Sequence, residues 1–318
     1  MLARFAFSLV SPPGGRGKLS TLIFHRVRPS GGSAGKRAMN EARFDELLSW
    51  VANAFNVIAP DEAVERLVRG ELPARALCIT FDDGYADNAE LALPVLMRHR
   101  LTAAFFVATD FLDGGTMWND RLAIAVRKCV HDVLDLDDLG LGVHQLVAGN
   151  VVRVVAKLNA RVKYLPDSQR TECIDEIVVR SGVEIPNDLM MTSGQVRQLR
   201  HAGMVVGGHT CSHPILASLD HERARSEIVE GKRRLEDILG ERIDLFAYPN
   251  GQPGQDFRPE HARIVKDAGF KAAFTTAWGV SRRDTNLFQL PRFTPWDSNR
   301  NTFMYRLGRN LLTEAVTV

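Results

Sequence analysis

Two short stretches of this 318-residue chain concentrate side chains that could do chemistry. The first is Thr80-Phe81-Asp82-Asp83-Gly84, which closes the apolar run Ala76–Phe81. Such a run reads as a buried strand, and α/β folds place their sites at the C-terminal ends of strands. Adjacent side chains diverge there, so one carboxylate can hold a metal while the other addresses water beside it. On its own, Asp-Asp-Gly fits a plain turn with an Asp capping the next helix equally well. The second stretch is His209-Thr210-Cys211-Ser212-His213, after the strand-like Gly203–Gly207. Two histidines four apart share one face of a helical turn and can chelate one ion; a pair of surface or core histidines is the competing reading. Cys211, two residues on from His209, is expected to point away and pack inside. The Gly207-Gly208 pair is expected to let the backbone bend into the site.

Taken together the two stretches mean more than either alone. One Asp and two His give three protein ligands and leave positions open for water. The neighbouring carboxylate then serves as general base. Such a set hydrolyses an amide or ester without a nucleophilic Ser or Cys.

The elements that must position these groups alternate in type. Leu19–Phe24, Ala76–Phe81, Thr102–Ala108, Gly203–Gly207, Ile243–Tyr248 and Lys271–Thr276 read as strands. Helical patterns fall at Glu41–Phe55, Pro60–Arg69, Asp87–Arg100 (kinked by Pro94), Thr192–His201 behind a Thr192/Gln195 capping box, Asp220–Leu239 and near Pro259–Ala268. Near-continuous apolar strands between helices predict a parallel sheet covered on both faces. An open doubly wound sheet and a barrel both fit. The number of units and the lack of a dinucleotide glycine fingerprint favour an incomplete or distorted barrel. Residues 117–189 break the rhythm and read as a helical insertion within a single catalytic domain.

Composition narrows the function classes. The chain is 45% hydrophobic and 25% charged, ordinary for a globular protein. Its 40 basic against 38 acidic residues give a net charge of +2, so no basic field points to a nucleic-acid partner. No apolar run is long enough to span a membrane, and Phe5–Val10 is shorter than a signal-peptide core. The expectation is a soluble, cytoplasmic protein without membrane association. Cys78, Cys129, Cys173 and Cys211 show no paired spacing and read as reduced thiols. The loops at 11–18 and 29–37, the second ending in Lys36 and Arg37, read as solvated loops. Phe303–Leu312 reads as an amphipathic capping helix. His99, His131, His144, His201, His221 and His261 read as surface residues.

With Phe246-Ala247-Tyr248-Pro249-Asn250-Gly251, the two stretches above resemble the first three motifs of the polysaccharide deacetylases, the NodB-like carbohydrate esterases. The resemblance runs from about residue 20 to 300, in order and spacing. It implies a distorted (β/α)7 barrel, a divalent metal (most often zinc) and removal of acetyl groups from acetylated sugars. By resemblance, Asp82 is the general base, and Asp83, His209 and His213 are the metal ligands. The backbone N–H of Asn250 is the oxyanion donor, and Tyr248 and Pro249 form a wall of the groove.

The chain departs from the family pattern twice. Many members carry an Arg that orients the base where Ala247 stands, and Arg292 of Leu290-Pro291-Arg292-Phe293 is the candidate replacement. Many also end with a Leu-x-His whose His is the general acid, and here that spot has none. His25, in Phe24-His25-Arg26-Val27, resembles the opening of exopolysaccharide deacetylases whose acid-bearing strand comes first. Trp118 either stacks on a sugar ring or packs its own loop, and Trp278 and Trp296 share those two readings. The expected partner is an acetylated glycan.

Three alternatives stay open: hydrolysis of another non-peptide C–N bond at the same site, a metal- and glycan-binding protein without activity, and a metal-dependent oxygenase. The α/β alternation speaks against the oxygenase, which usually sits on a double-stranded β fold. Retention of both Asp82 and Asp83 speaks against a decayed enzyme. Oligomeric state is not legible.

Overall fold

A computed structural model describes residues 2–30, 39–147 and 149–318. Lys36 and Arg37 lie outside the described residues. Among the described residues nine strands run in chain order: β1 (Leu19–Phe24), β2 (Asn56–Val57), β3 (Ala76–Phe81), β4 (Ala104–Val107), β5 (Val133–Leu136), β6 (Gly142–Gln145), β7 (Val205–Gly208), β8 (Leu245–Ala247) and β9 (Ala272–Phe274). Contacts divide the chain into two compact units, Met1–Leu112 with Met191–Val318, and Asp113–Met190.

The first unit is a curled parallel sheet in the order β1-β3-β4-β7-β8-β9. β1 takes one edge of β3 along all six residues. The other edge is shared, with β2 pairing to Ala76 and Leu77 and β4 to Thr80 and Phe81. A short segment, 290–293, closes the curl. Leu290 exchanges backbone bonds with Ala273 and Thr275 on the β9 side, and Phe293 with Thr21 and Ile23 of β1. Pro291 has no N–H to give, so this last stave is bonded only through its neighbours. The result is the seven-staved (β/α) barrel expected from the motifs, distorted where β2 and β4 share one edge.

Period-2 alternation sorts the strand residues to two faces. Outward residues pack under the helices. Phe24, Phe81 and Phe105 are in register across β1, β3 and β4. Their rings stack at 5.2 and 4.9 Å, with Phe44 of helix Glu41–Ala54 edge-on to the first two. Inward residues are small where the barrel is narrow: Ala76, Cys78, Ala104, Ala247 and Ala272. Phe106 fills the remaining space because Gly207 faces it; a Cβ on Gly207 would lie 2.4 Å from the Phe106 ring. Gly207 and Gly208 therefore serve packing inside β7 rather than the expected bend, and neither has a positive φ.

The helices match the sequence pattern closely. Asn40 and Asp220 cap the helices Glu41–Ala54 and His221–Leu239, and Thr192 with Gln195 forms the capping box of Ser193–His201. In place of one kinked helix after Asp87, a wide π-type turn at Asn88–Ala92 leads into Leu93–His99. The C-terminal helix spans Arg300–Asn310.

The second unit has its own core of Leu122, Val126, Leu158, Ile174 and Ile177 between helices Trp118–Lys128, Val151–Val162 and Asp167–Ser181. It also carries the antiparallel hairpin β5–β6, which the helical reading of 117–189 did not anticipate. Two histidines read as surface are buried: His144 in β6, bonded to the Leu141 carbonyl, and His261, whose Nδ1 accepts from the Arg258 N–H. All four cysteines are free. No helix among the described residues is long and apolar enough to cross a membrane.

Candidate active site

The candidate residues gather at the C-terminal end of the first unit's barrel, because each follows a stave. His25 follows β1, Asp82 and Asp83 follow β3, His209 follows β7, Asn250 follows β8, and Arg292 lies on the closing segment. Ala76, Cys78, Thr80 and Asp82 share one face of the strand and its extension, which aims the Asp82 carboxylate into the barrel. Its N–H continues the ladder to the Phe24 carbonyl. The next residue breaks the pattern. Asp83 has φ 77°, followed by Gly84 at 90°, so its side chain leaves the alternation.

Arg292 is fully buried, and its fork meets both Asp82 oxygens at 2.7 Å. Nη1 also donates to Thr80 Oγ1, Nε donates to the Thr275 carbonyl, and Thr80 in turn donates to the Leu22 carbonyl. The guanidinium carbon stands 5.7 Å over the Phe106 ring. Arg292 thus reaches the carboxylate that Ala247 cannot. Burial by itself would raise the Asp82 carboxyl; the charge and hydrogen bonds of Arg292, with His209 and His25, outweigh it and hold Asp82 below its ordinary value.

Asp83, His209 and His213 form a second cluster, with one ligand atom from each lying within 4.8 Å of the others. The loop carrying the histidines is not the helical turn their spacing suggested. Residues 209–213 are irregular, and Thr210 and His213 adopt φ 67° and 55°. Of seven non-glycine residues with positive φ among the described residues, four are Asp83, Thr210, His213 and Asn250. Such conformations cost energy and persist where the surroundings fix them. Here the surroundings can be named. Thr210 Oγ1 accepts from the His213 N–H, and Thr109 and Asp110 donate to the Thr210 and Cys211 carbonyls. Glu227, on helix His221–Leu239, accepts from the N–H groups of Cys211 and Ser212 at 3.0 and 2.9 Å, and from Ser212 Oγ at 2.7 Å. Gly231, one turn further along that helix, lets it approach the loop; a Cβ there would lie 2.8 Å from the Thr210 carbonyl.

The donor set fits a cation. His209 Nδ1 donates to the Ala247 carbonyl at 2.7 Å, which leaves Nε2 with a lone pair. That Nε2 faces Asp83 Oδ1 at 3.4 Å, and His213 Nε2 faces the same oxygen at 3.3 Å. The His209 lone pair facing a carboxylate oxygen needs either a cation between them or an extra proton on the ring. Burial alone would raise the Asp83 carboxyl, but contact with His209 and His213 and the charge of His25 hold it well below its ordinary value. It is therefore available as an anionic ligand. Two imidazoles and one carboxylate are a donor set suited to zinc.

The other candidates separate into two groups. The His25 ring is exposed at the rim, near enough for its charge to act on both carboxyls. Its carbonyl accepts from Asn88 Nδ2, and Asp87 holds the adjacent Arg26 side chain and Val27 N–H. Asn250 sits at φ 58°, its carbonyl held by Thr276 Oγ1 at 2.7 Å. Among the described residues nothing accepts from its N–H. Tyr248 and Pro249 do not form an exposed wall. Both are buried; Tyr248 stacks on Phe257 at 3.9 Å and donates to the Phe288 carbonyl. Cys211 is buried as expected, and burial pushes its thiol up to about 11. Trp118 belongs to the second unit, where Arg170 lies over its ring.

Sequence reasoning missed Glu227, Gly231 and the Ala247 carbonyl. A lone Gly within the pattern of helix His221–Leu239 is the one signal of close backbone approach that was available.

Comparison with known proteins follows the same lines. The family profile described as polysaccharide deacetylase matches residues 69–133 and 164–273. YxkH of Bacillus subtilis (strain 168), a chain named for polysaccharide deacetylation, is 19% identical over 277 residues, covering 86% of this chain and 70% of its own length. Among solved structures, the Streptococcus pyogenes deacetylase PplD superposes with a TM-score of 0.61 at 18% identity, over 92% of this chain and 98% of that one. IcaB from Ammonifex degensii gives 0.59 at 19%, over 95% and 99%. The BpsB deacetylase domain from Bordetella bronchiseptica gives 0.57 at 18%, over 89% and 97%. These likenesses carry the fold.

Proposed function

This chain belongs to the polysaccharide deacetylase family, and from that premise we propose that it is a metal-dependent hydrolase that removes acetyl groups from the N-acetylated sugars of a polysaccharide or glycan precursor. The observation that carries this reading is the joint placement of a three-ligand cluster, Asp83-His209-His213, beside a buried, ionised carboxylate, Asp82. The PplD structure named as a complex with acetate is consistent with acetate as product.

Asp83, His209 and His213 would hold a divalent cation, zinc by donor chemistry, and when bound it would supply Lewis-acid polarisation of the acetyl carbonyl and of water. The chain's residues do the rest. Asp82 accepts the proton of the attacking water. Each of its oxygens keeps a lone-pair site beyond the one occupied by Arg292, and Arg292 keeps it ionised at neutral pH. The Asn250 N–H donates to the oxygen that gains charge as water adds to the carbonyl carbon. His25, in its protonated form, gives a proton to the sugar nitrogen as the C–N bond breaks. Water is consumed, and acetate and the free amino sugar leave.

Acetate release from N-acetylated chito-oligosaccharides tests this. We expect turnover that a chelator abolishes and added Zn2+ restores. Asp82→Asn should lower kcat by about 10^2-fold or more with metal still bound, and His25→Ala should lower kcat and remove the limb of the pH profile set by a protonated acid. A folded, metal-loaded protein that releases no acetate from any acetylated sugar would sink the reading.

A further inference from the structure

The residue assigned above as general acid has no grip on its own ring. The His25 side chain is exposed, and among the described residues no hydrogen bond holds its imidazole. A proton donor must nevertheless stand within hydrogen-bond reach of the atom it protonates. A displacement of about 1 Å can cost on the order of 10^2-fold in rate. The ring can be placed only through the backbone beneath it. The β1–β3 register ends one residue earlier, at Phe24 opposite Phe81, so the sheet does not supply that support.

Two buried side chains supply it instead. Asn88 is fully buried and Asp87 nearly so. Asn88 Nδ2 donates to the His25 carbonyl at 2.9 Å and to Asp87 Oδ1 at 3.1 Å. Asp87 Oδ1 also accepts from the Val27 N–H at 3.2 Å, and Oδ2 accepts from Arg26 Nε at 2.7 Å. The Arg26 guanidinium lies 4.4 Å over the ring of Tyr85, itself buried. Residues 25, 26 and 27 are thus each tied to the stretch 85–88, which directly continues Asp82 and Asp83. That stretch is fixed in its turn. The Asn88 N–H donates to the Tyr85 carbonyl, the Met191 N–H donates to the Gly84 carbonyl, and Asn88 opens the wide turn Asn88–Ala92. One segment, 82–88, therefore carries Asp82, Asp83 and the clamp on the backbone of His25.

We propose that Asn88, with Asp87, is a positioning residue for the reaction: through the backbone of residues 25–27 it sets the His25 ring toward the sugar nitrogen, tying proton delivery to the segment that holds Asp82. The proposal rests on the acid role given to His25 above, and its test separates the two. When the C–N bond of an N-acetyl sugar breaks, its electron pair stays on nitrogen, and the proton from the His25 ring joins it there. The acetyl ester of 4-nitrophenol needs no such proton, because its phenolate leaves as the anion. Zinc-loaded wild type, Asn88→Ala, Asp87→Asn, His25→Ala and Asn88→Ala/His25→Ala are assayed on N-acetylated chitohexaose and on the aryl acetate. Their metal-free forms give the zinc affinity and the NMR signal of the His25 ring, assigned by its loss in His25→Ala.

Asn88→Ala should lose about tenfold in kcat on the hexaose, with KM nearly unchanged. Asp87→Asn, which keeps the shape of the buried group, should lose less; it carries the same comparisons if Asn88→Ala does not fold. Aryl acetate rates and zinc affinity should stay within about twofold of wild type. Added to His25→Ala, Asn88→Ala should cost no further rate, because the group it positions is already gone. The His25 ring signal should move or broaden in both clamp variants. Equal losses on the two substrates, a loss that adds in full to that of His25→Ala, or an unmoved His25 signal would overturn the positioning role. Wild-type turnover of the hexaose by His25→Ala would sink the acid reading. A His25 signal that moves in a protein that releases no acetate would sink the deacetylase reading and leave the clamp standing.

Discussion

The two halves of the candidate site balance their charge in opposite ways. Asp82 is neutralised within the chain by a fully buried guanidinium whose N–H groups are also held by Thr80 and Thr275. Asp83 faces two imidazole nitrogens, one of which carries a lone pair because its ring partner is committed to Ala247. One half is complete as folded, and the other is a donor set that a cation would complete. The difference also shows in the backbone. Asp82 continues a strand ladder, whereas Asp83, Thr210 and His213 sit at positive φ and are held there by hydrogen bonds from neighbouring backbone and side chains. The lesson is that Asp82 belongs to the folding core while the loop of His209 and His213 is a strained attachment to it, so the two should fail differently.

The largest effect should come from the self-neutralised half. Arg292→Met leaves a buried carboxylate without its partner and should cost about 3–5 kcal/mol of stability, read as a lower denaturation midpoint of the metal-free protein. Adding Asp82→Asn to that background should return a good part of it. A midpoint like that of wild type would break the contrast. Next, wild type at free Zn2+ one hundred times its Kd should gain about 2.7 kcal/mol, whereas Asp83→Asn and His209→Gln should fold normally without metal and gain almost nothing from it. Thermal melts with and without zinc decide this.

A smaller effect concerns acid. The folded Asp82 carboxyl lies below its unfolded value of about 3.9. A group depressed on folding contributes stability above the unfolded value and loses it as pH falls through the folded one. The metal-free wild type should therefore keep this contribution from neutral pH down to about pH 4 and lose it only below. Asp82→Asn should show a flatter acid limb in pH-dependent unfolding, and identical limbs would remove Asp82 from the account. The smallest effect tests the attachment of the loop. Glu227→Gln should weaken zinc binding by about tenfold, as loss of support behind metal ligands does, with little change in the metal-free midpoint. An unchanged zinc affinity would mean that Thr210 and its neighbours suffice to hold the loop.

Much of this architecture was legible in the residues. Buried strands announce themselves as short apolar runs, and Ala76–Phe81 followed by Asp82 and Asp83 points to a site at a strand end. The caps at Thr192 and Asp220 were legible because their hydrogen bonds are local. Spacing alone was silent on backbone conformation: His209 and His213 are four apart, yet their loop is irregular with left-handed turns. It was equally silent on sidedness. Tyr248 follows a strand that leads into the site, but its ring turns into the core against Phe257. Contacts distant in sequence left no local trace, as with Glu227 beneath the metal loop. Arg292 could be nominated only because Ala247 left a role vacant. The hairpin β5–β6 was hidden because its two strands expose every second residue or nearly so and offer no apolar run.

The segment that carries Arg292 has a further bearing, on solubility. By bonding to β9 on one side and β1 on the other, residues 290–293 occupy what would otherwise be two open sheet edges. Unpaired edges are templates for strand addition between molecules. A lesion that frees this short stave would expose both at once. Its first symptom in a cell would be aggregation during expression, before any deficit in turnover could be measured.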